Sequence, residues 1–140
     1  MTEPIYPCFW FDGQAVAAAE FYCTIFPDSK IISVNPFVVI FTLNGKKFMG
    51  LNGGPEYSFN EAVSFVINCK DQAEIDYYWD KLSAGGQEGK CGWLKDKFGL
   101  SWQVVPSILG SLMNDPEKAP RAMHAFMQMK KFDIEKLIQA

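Results

Sequence analysis

Histidine is nearly missing from this sequence: His124 is the only one. That scarcity removes most chemistry built on imidazole, including Ser–His or Cys–His nucleophile pairs and histidine-rich metal centres. The four cysteines, Cys8, Cys23, Cys69 and Cys91, have no Cys-x-x-Cys spacing and sit within apolar patterns. They read as reduced, mostly buried small hydrophobes, not as disulfides or metal ligands. Charge of one sign is not concentrated either. The formal net charge is −3, and the basic runs Lys46-Lys47 and Lys130-Lys131 are short, so neither nucleic acid nor an anionic membrane surface is expected as a partner. No apolar stretch reaches the roughly 20 residues of a membrane span. The start, Met1-Thr2-Glu3-Pro4, is acidic and lacks a secretory pattern, so a cytoplasmic setting is expected.

What the chain does contain is a near-repeat. Setting Phe11-Asp12-Gly13-Gln14 over Ile67-Asn68-Cys69-Lys70 also places Phe9 over Phe65, Glu20-Phe21-Tyr22 over Asp76-Tyr77-Tyr78, and Phe26 over Leu82. In each half a short apolar run ends in a polar turn, a helix with an aromatic pair follows, and shorter strand-like runs come next. Such duplication constrains architecture more tightly than any single residue. In the first half, Tyr6 to Phe11 reads as a strand and Asp12-Gly13 as the break that caps a helix from Gln14 to Ile25. Strands at 31–34, 37–43 and 47–51 follow, with Asn44-Gly45 as a hairpin turn. Asn52-Gly53-Gly54-Pro55 opens a linker. The second half predicts a strand over 62–68, a helix over 71–82 ended by Gly85-Gly86, and strands near 87–91, 92–95 and 100–105. Beyond Pro106 the pattern turns helical, with caps at Asp115 and Asp133. The expected fold class is α+β: one domain over residues 1–140, with tandem βαβββ modules at 5–52 and 62–106, a cupped mixed sheet, and a C-terminal helical extension at 107–140.

The motifs carry a resemblance. Pro7-Cys8-Phe9-Trp10-Phe11-Asp12-Gly13-Gln14-Ala15, Phe21-Tyr22, Phe26-Pro27, Leu51-Asn52-Gly53-Gly54-Pro55, Phe59-Asn60-Glu61-Ala62 and the long segment from Cys91 through Trp102-Gln103 resemble the PhnB-like branch of the vicinal oxygen chelate superfamily. That superfamily takes in glyoxalases, bleomycin-resistance proteins and dioxygenases, and the branch bears the name 3-demethylubiquinone-9 3-methyltransferase. The loop before the third strand is shorter than relatives usually have; only Asn35-Pro36 remains.

The resemblance implies four strand positions where metal-using members place His, Glu or Gln. Here they read as Tyr6, Met49, Ala62 and Gln103, or, with the first strands shifted by two, with Cys8 for Tyr6 and Ser64 for Ala62. A thioether, a methyl group and one amide make no sensible ion site, so no metal is expected. S-adenosylmethionine is not expected as a cofactor either, because the strand–helix turn Asp12-Gly13-Gln14 has no Gly-x-Gly and Asn52-Gly53-Gly54-Pro55 lacks the strand–loop–helix context. Asp12, Glu61, Lys95 and Asp96 are candidate acid–base groups, read more simply as a cap, a loop residue and an exposed hairpin.

What remains is a ligand pocket of Tyr6, Cys8, Trp10, Met49, Leu51, Ser64, Ser101 and Gln103, suited to a small, mostly apolar molecule. Three function classes stand: a metal-free small-molecule-binding protein, a metal-independent enzyme that includes the methyltransferase-like activity, and a structural or interaction module with a filled cleft. Whether the protein is an enzyme stays open. A homodimer is expected, since superfamily modules commonly complete their clefts in pairs.

Overall fold

A computed structural model describes residues 3–140; the part of the N-terminal reading that concerns Met1 and Thr2 lies outside the described residues. The chain divides into two compact units, one ending at Phe59 and the other spanning Asn60–Ala140. Each contains one four-stranded mixed sheet, so the single cupped sheet expected from the sequence resolves into two hydrogen-bonded sheets.

In the first unit β1 (Cys8–Phe11), α1 (Ala15–Ile25), β2 (Lys30–Val34), β3 (Val38–Leu43) and β4 (Lys46–Asn52) form a sheet of order β1-β4-β3-β2. β1 runs parallel to β4, and the other pairs are antiparallel. Burial alternates along β3, as expected for a sheet with one covered face. Phe9, Phe11, Val39, Phe41 and Phe48 pack beneath α1, with the Phe41 and Phe48 rings stacked at a centroid distance of 5.6 Å. α1 meets this layer through Ala15, Ala18, Ala19, Tyr22 and Ile25. The small residues let the helix approach closely: a Cβ on Gly50 would stand 2.8 Å from Val39 and 3.2 Å from Ala15. Asn44 and Gly45 both have positive φ, 52° and 76°, which is the type I′ hairpin their sequence predicts.

The helix cap differs from the expectation. Asp12 does not cap α1; the Ala15 amide donates to Asn52 Oδ1 at 2.9 Å, and the Asn52 amide donates to the Pro36 carbonyl. The end of β4 lies beside the end of β1 in the parallel pair, so its side chain reaches the helix start before a local residue does.

The second unit repeats the plan with β5 (Ser64–Cys69), α2 (Gln72–Ser83), β6 (Gln87–Glu88), β7 (Trp93–Lys95) and β8 (Ser101–Pro106), in the order β5-β8-β7-β6. Here Asp71 caps its own helix by accepting from the Glu74 amide. Ile75, Trp79 and Leu82 of α2 pack toward the covered face, which buries Cys69, Leu94, Trp102 and Val104. The repeat holds, but not at one constant offset. Buried Tyr22 corresponds to buried Trp79, one residue beyond the Tyr78 that the sequence alignment supplied. Phe11 faces Asn52 in register as Cys69 faces Pro106, so the first strands align two residues further on. The turn after β5 is one residue shorter than the turn after β1, which shifts the helix by one.

The C-terminal extension forms α3 (Leu109–Met113), α4 (Ala119–Phe126) and α5 (Ile134–Gln139). Asp115 receives the Glu117 and Lys118 amides, and Pro120 falls in the first turn of α4, where its missing N–H costs nothing. The extension docks on its own unit. Cys91 and Gly92 donate backbone bonds to Met129 and Lys130, Phe132 is fully buried, and the Gln72 side chain bonds to both Phe132 and Ile134.

Candidate functional site

Each sheet has one face under its helix and one turned away from it, and the predicted pocket residues on both modules fall on the open faces. On the first, Cys8 pairs in register with Met49 and Trp10 with Leu51, and across β3 these meet Ile40 and Val38. Tyr6 lies just before β1, with the Lys47 ammonium 4.3 Å from its ring centroid. Trp10 is held in place: its indole N–H donates to the Gly54 carbonyl at 2.8 Å and its ring meets Tyr57 edge-on at 4.9 Å.

On the second sheet the open face is polar. In register across four strands, Gln87 faces Lys95, Lys95 faces Ser101, and Ser101 faces Ser64. The next row is Trp93, Gln103 and Val66. Gln103 Nε2 donates to Ser64 Oγ at 2.9 Å. Ser101 is only 1 % exposed, and its hydroxyl has no hydrogen-bond partner among the described residues, an arrangement that costs about 1–3 kcal/mol. Beside it, Lys95 forms an ion pair with Glu61. A cavity of about 220 Å³ is lined by Glu61, Gln87, Trp93, Lys95 and Ser101, among others.

Several residues differ from their sequence reading. Ala62 precedes β5 and is exposed, so it is not a strand position facing Gln103; Val66 holds that place. Asp96 is not part of an exposed hairpin. It is 3 % exposed and accepts from the Phe98 and Leu100 amides and the Trp102 indole, so it is a structural pin for the turn before β8. Of the cysteines, all free, only Cys69 is buried, while Cys8 is exposed. The sequence also undervalued Lys95, Glu61, Trp93 and Gln87. The two-residue alternation Trp93–Lys95 beside Ser101–Gln103 was the available signal, but it needed the strand register to become legible.

The titratable groups supply little reactivity. Burial pushes the Cys69 thiol up to about 12, with Glu74 and Asp71 adding to it. Cys8 is exposed as a residue, yet the strand around its sulfur desolvates it enough to raise its pKa as well, the opposite of nucleophile activation. The hydrogen bond from Lys95, with its own backbone amide and the lysine charge, lowers Glu61.

A metal does not fit the donors present. Register makes Cys8 and Val66 equivalent, facing Met49 and Gln103, and Tyr6 then corresponds to Ser64. Neither set holds an imidazole or a carboxylate: one offers a phenol, a thioether, a hydroxyl and an amide, the other a thiol, a thioether and an amide. No group of three His, Cys, Asp or Glu among the described residues is placed to hold an ion. S-adenosylmethionine fits no better. The turn at Asn52-Gly53-Gly54 is filled by the chain itself, because a Cβ on Gly53 would stand 2.4 Å from the Trp10 ring, and the α1 N-terminus is already capped by Asn52.

A larger cavity, about 930 Å³, lies elsewhere in the second unit, between the start of α2 and the extension. Its carboxylates are engaged: Asp71 and Asp133 cap helices, Asp76 pairs with Lys131 at 2.9 Å, and Glu135 accepts from the Gln139 amide. Size alone therefore does not make it the better candidate.

Tandem βαβββ modules of this order, with open sheet faces bearing the candidate residues, define the glyoxalase/bleomycin resistance/dioxygenase class of fold. Within it, the chain belongs to the 3-demethylubiquinone-9 3-methyltransferase family, whose model matches residues 3–105, in the PhnB-like branch. A PhnB protein from Bacillus cereus, which bears that methyltransferase name provisionally, is 30% identical with a TM-score of 0.69 over 74% of this chain and 99% of its own. A glyoxalase-related enzyme from Fulvimarina pelagi shares the fold at 17% identity and a TM-score of 0.55, over 76% of this chain and 88% of its own. A fosfomycin resistance protein from Listeria monocytogenes does so at 11% and 0.53, over 75% and 91%. No curated protein matches the chain. The family match ends before the C-terminal extension begins, and no helix of the described residues is long and apolar enough to cross a membrane.

Proposed function

We propose that this protein is a metal-free small-molecule-binding member of its superfamily, taking a small, mostly apolar molecule on an open sheet face and working as a cytoplasmic homodimer. The observation that carries the reading is the chemistry of those faces. Trp10, Met49 and Leu51 offer apolar surface, and Ser64, Ser101 and Gln103 offer neutral hydrogen-bonding groups. Neither set includes an activated nucleophile, an acid–base pair or a set of ion ligands. Either face can recognise and orient a molecule and has little with which to transform one. The Fulvimarina relative is titled a glyoxalase-related enzyme, and the metal-independent enzyme reading stands as the rival. For the dimer, support comes from Ile32, Val34 and Phe37, exposed on and beside the edge strand β2. A two-fold interface there must bury more than about 1,000 Å² to be stable, and light scattering at micromolar concentration distinguishes one chain from two.

The binding reading is tested by calorimetric titration of chelator-treated protein with 2-naphthol, a neutral planar probe. Saturable binding without added metal is expected, weakened in Met49→Lys. Absence of binding, or binding restored only by a divalent ion, overturns the reading. Turnover of a substrate that is lost on changing Gln103 or Cys8 would establish the enzyme instead.

A further inference from the structure

The polar row on the second sheet points to more than a generic apolar ligand. Ser101 keeps a buried hydroxyl that has no hydrogen-bond partner among the described residues, although an alanine there would remove the cost of burying it. The residue lines the 220 Å³ cavity, and because Leu100 and Trp102 are buried toward the covered side, its side chain faces the open one. Lys95 sits directly across from it in register, which places their Cβ atoms about 4.5–5.5 Å apart, and Gln87 flanks Lys95 on the other side. Trp93, one register step along β7 on the same face, supplies a flat apolar wall.

The charge already paired with Lys95 identifies the class of ligand. Glu61 precedes β5 in the 60–63 segment, outside regular structure, and its side chain is 61% exposed while it contacts the lysine. The cavity therefore holds a carboxylate supplied by the chain itself, on an exposed side chain anchored outside the sheet. A ligand carboxylate arriving from solvent takes the same lysine and, unlike Glu61, also satisfies Ser101. An exposed ion pair contributes little net stability, because solvent screens it and ordering both side chains opposes it, so Glu61 is readily displaced. The other carboxylate lining the cavity, Glu88, accepts from the Trp79 indole and does not compete. A cationic ligand would leave Lys95 opposed to it and gains nothing from the Ser101 donor.

We propose that this cavity recognises the carboxylate of a small planar organic acid, with Lys95 as counter-ion, Ser101 Oγ as hydrogen-bond donor, Trp93 as the wall for the ring, and Glu61 as the displaceable occupant. This rests on the ligand-binding reading above and gives the ligand its class.

The test is a titration of the isotope-labelled full chain with benzoate, benzamide and benzylamine, followed by NMR at the Ser101 amide and the Trp93 indole. Benzoate is expected to shift both signals saturably and to bind about tenfold more tightly than benzamide. Lys95→Gln is expected to abolish that preference, Ser101→Ala to weaken benzoate about fivefold, and Glu61→Gln to strengthen it about threefold. Equal binding of benzoate and benzamide, tighter binding of benzylamine, or weaker benzoate binding in Glu61→Gln each overturns the proposal. If 2-naphthol binds while benzoate gains nothing from Lys95, only the carboxylate class falls. If 2-naphthol fails as well, the parent reading falls with it.

Discussion

The two modules share a plan under their helices and part company on their open faces. Beneath α1 lies a layer of phenylalanines, and beneath α2 lie Leu94, Trp102 and Val104; either layer does the same physical work. On the open side the first module sets Cys8, Met49 and Ile40 in one row and Trp10, Leu51 and Val38 in the next. The second sets Gln87, Lys95, Ser101 and Ser64 in one row and Trp93, Gln103 and Val66 beside it. A duplicated fold has thus kept its packing layer apolar in both copies while its free faces diverged, one apolar, the other polar. Folding constrains the covered layer, so difference on the open faces is where function is to be sought.

The largest expected effects test the part of the comparison that is alike. Phe41→Ala in the first module and Trp102→Ala in the second each remove a buried ring and are expected to cost about 3–5 kcal/mol in urea unfolding. Met49→Ala and Val66→Ala, on the open faces, are expected to cost less than about 1 kcal/mol. A Met49 penalty as large as that of Phe41 would mean that the first open face is a filled core. Asp96→Ala is the intermediate case, expected to lose about 2–3 kcal/mol because two amides and an indole N–H lose their acceptor.

Sharper still is Ser101→Ala, a substitution with opposite signs for stability and binding. Removing the partnerless hydroxyl is expected to stabilise the protein by about 1 kcal/mol, while weakening benzoate. A residue kept at a cost to stability is what a binding role predicts; destabilisation on this change would indicate a structural role. The smallest effects come from acid. Glu61, Asp76 and Asp115 all titrate below their ordinary values in the folded chain, through Lys95, Lys131 and backbone amides respectively. A lowered folded pKa means that each contributes stability above the ordinary carboxylate range and loses it as pH falls through the folded value. Asp76→Asn is therefore expected to flatten the fall in melting temperature below about pH 4, by a small, salt-sensitive amount. Thiol labelling gives a parallel check: Cys69 is expected to react only on unfolding, with Cys8 reacting slowly at neutral pH.

Much of this was legible in the residues. The strand reading of Tyr6 to Phe11 implies that Cys8 and Trp10 oppose Phe9 and Phe11, and Asn44-Gly45 marks its turn, because both signals are local. The repeat was visible too, but a single offset hid a one-residue shortening between β5 and α2. The sequence offset is two residues short for the strands and one short for the helices, so Tyr22 falls on Tyr78 instead of Trp79. Residues whose roles depend on distant partners were harder to read. Asn52 looked like the start of a linker because the amide it caps lies on another element, and Asp96 looked exposed because the Trp102 indole folds back onto it. Lys95 and Ser101 become neighbours only through antiparallel register, so the polar row had no local signature.

The central claim, ligand binding without a metal, is tested most directly by native mass spectrometry of freshly purified protein before and after exhaustive chelation. The account predicts a small organic adduct that survives chelation and no stoichiometric metal. A mass increase of one divalent ion per chain, with loss of the adduct on chelation, would contradict it.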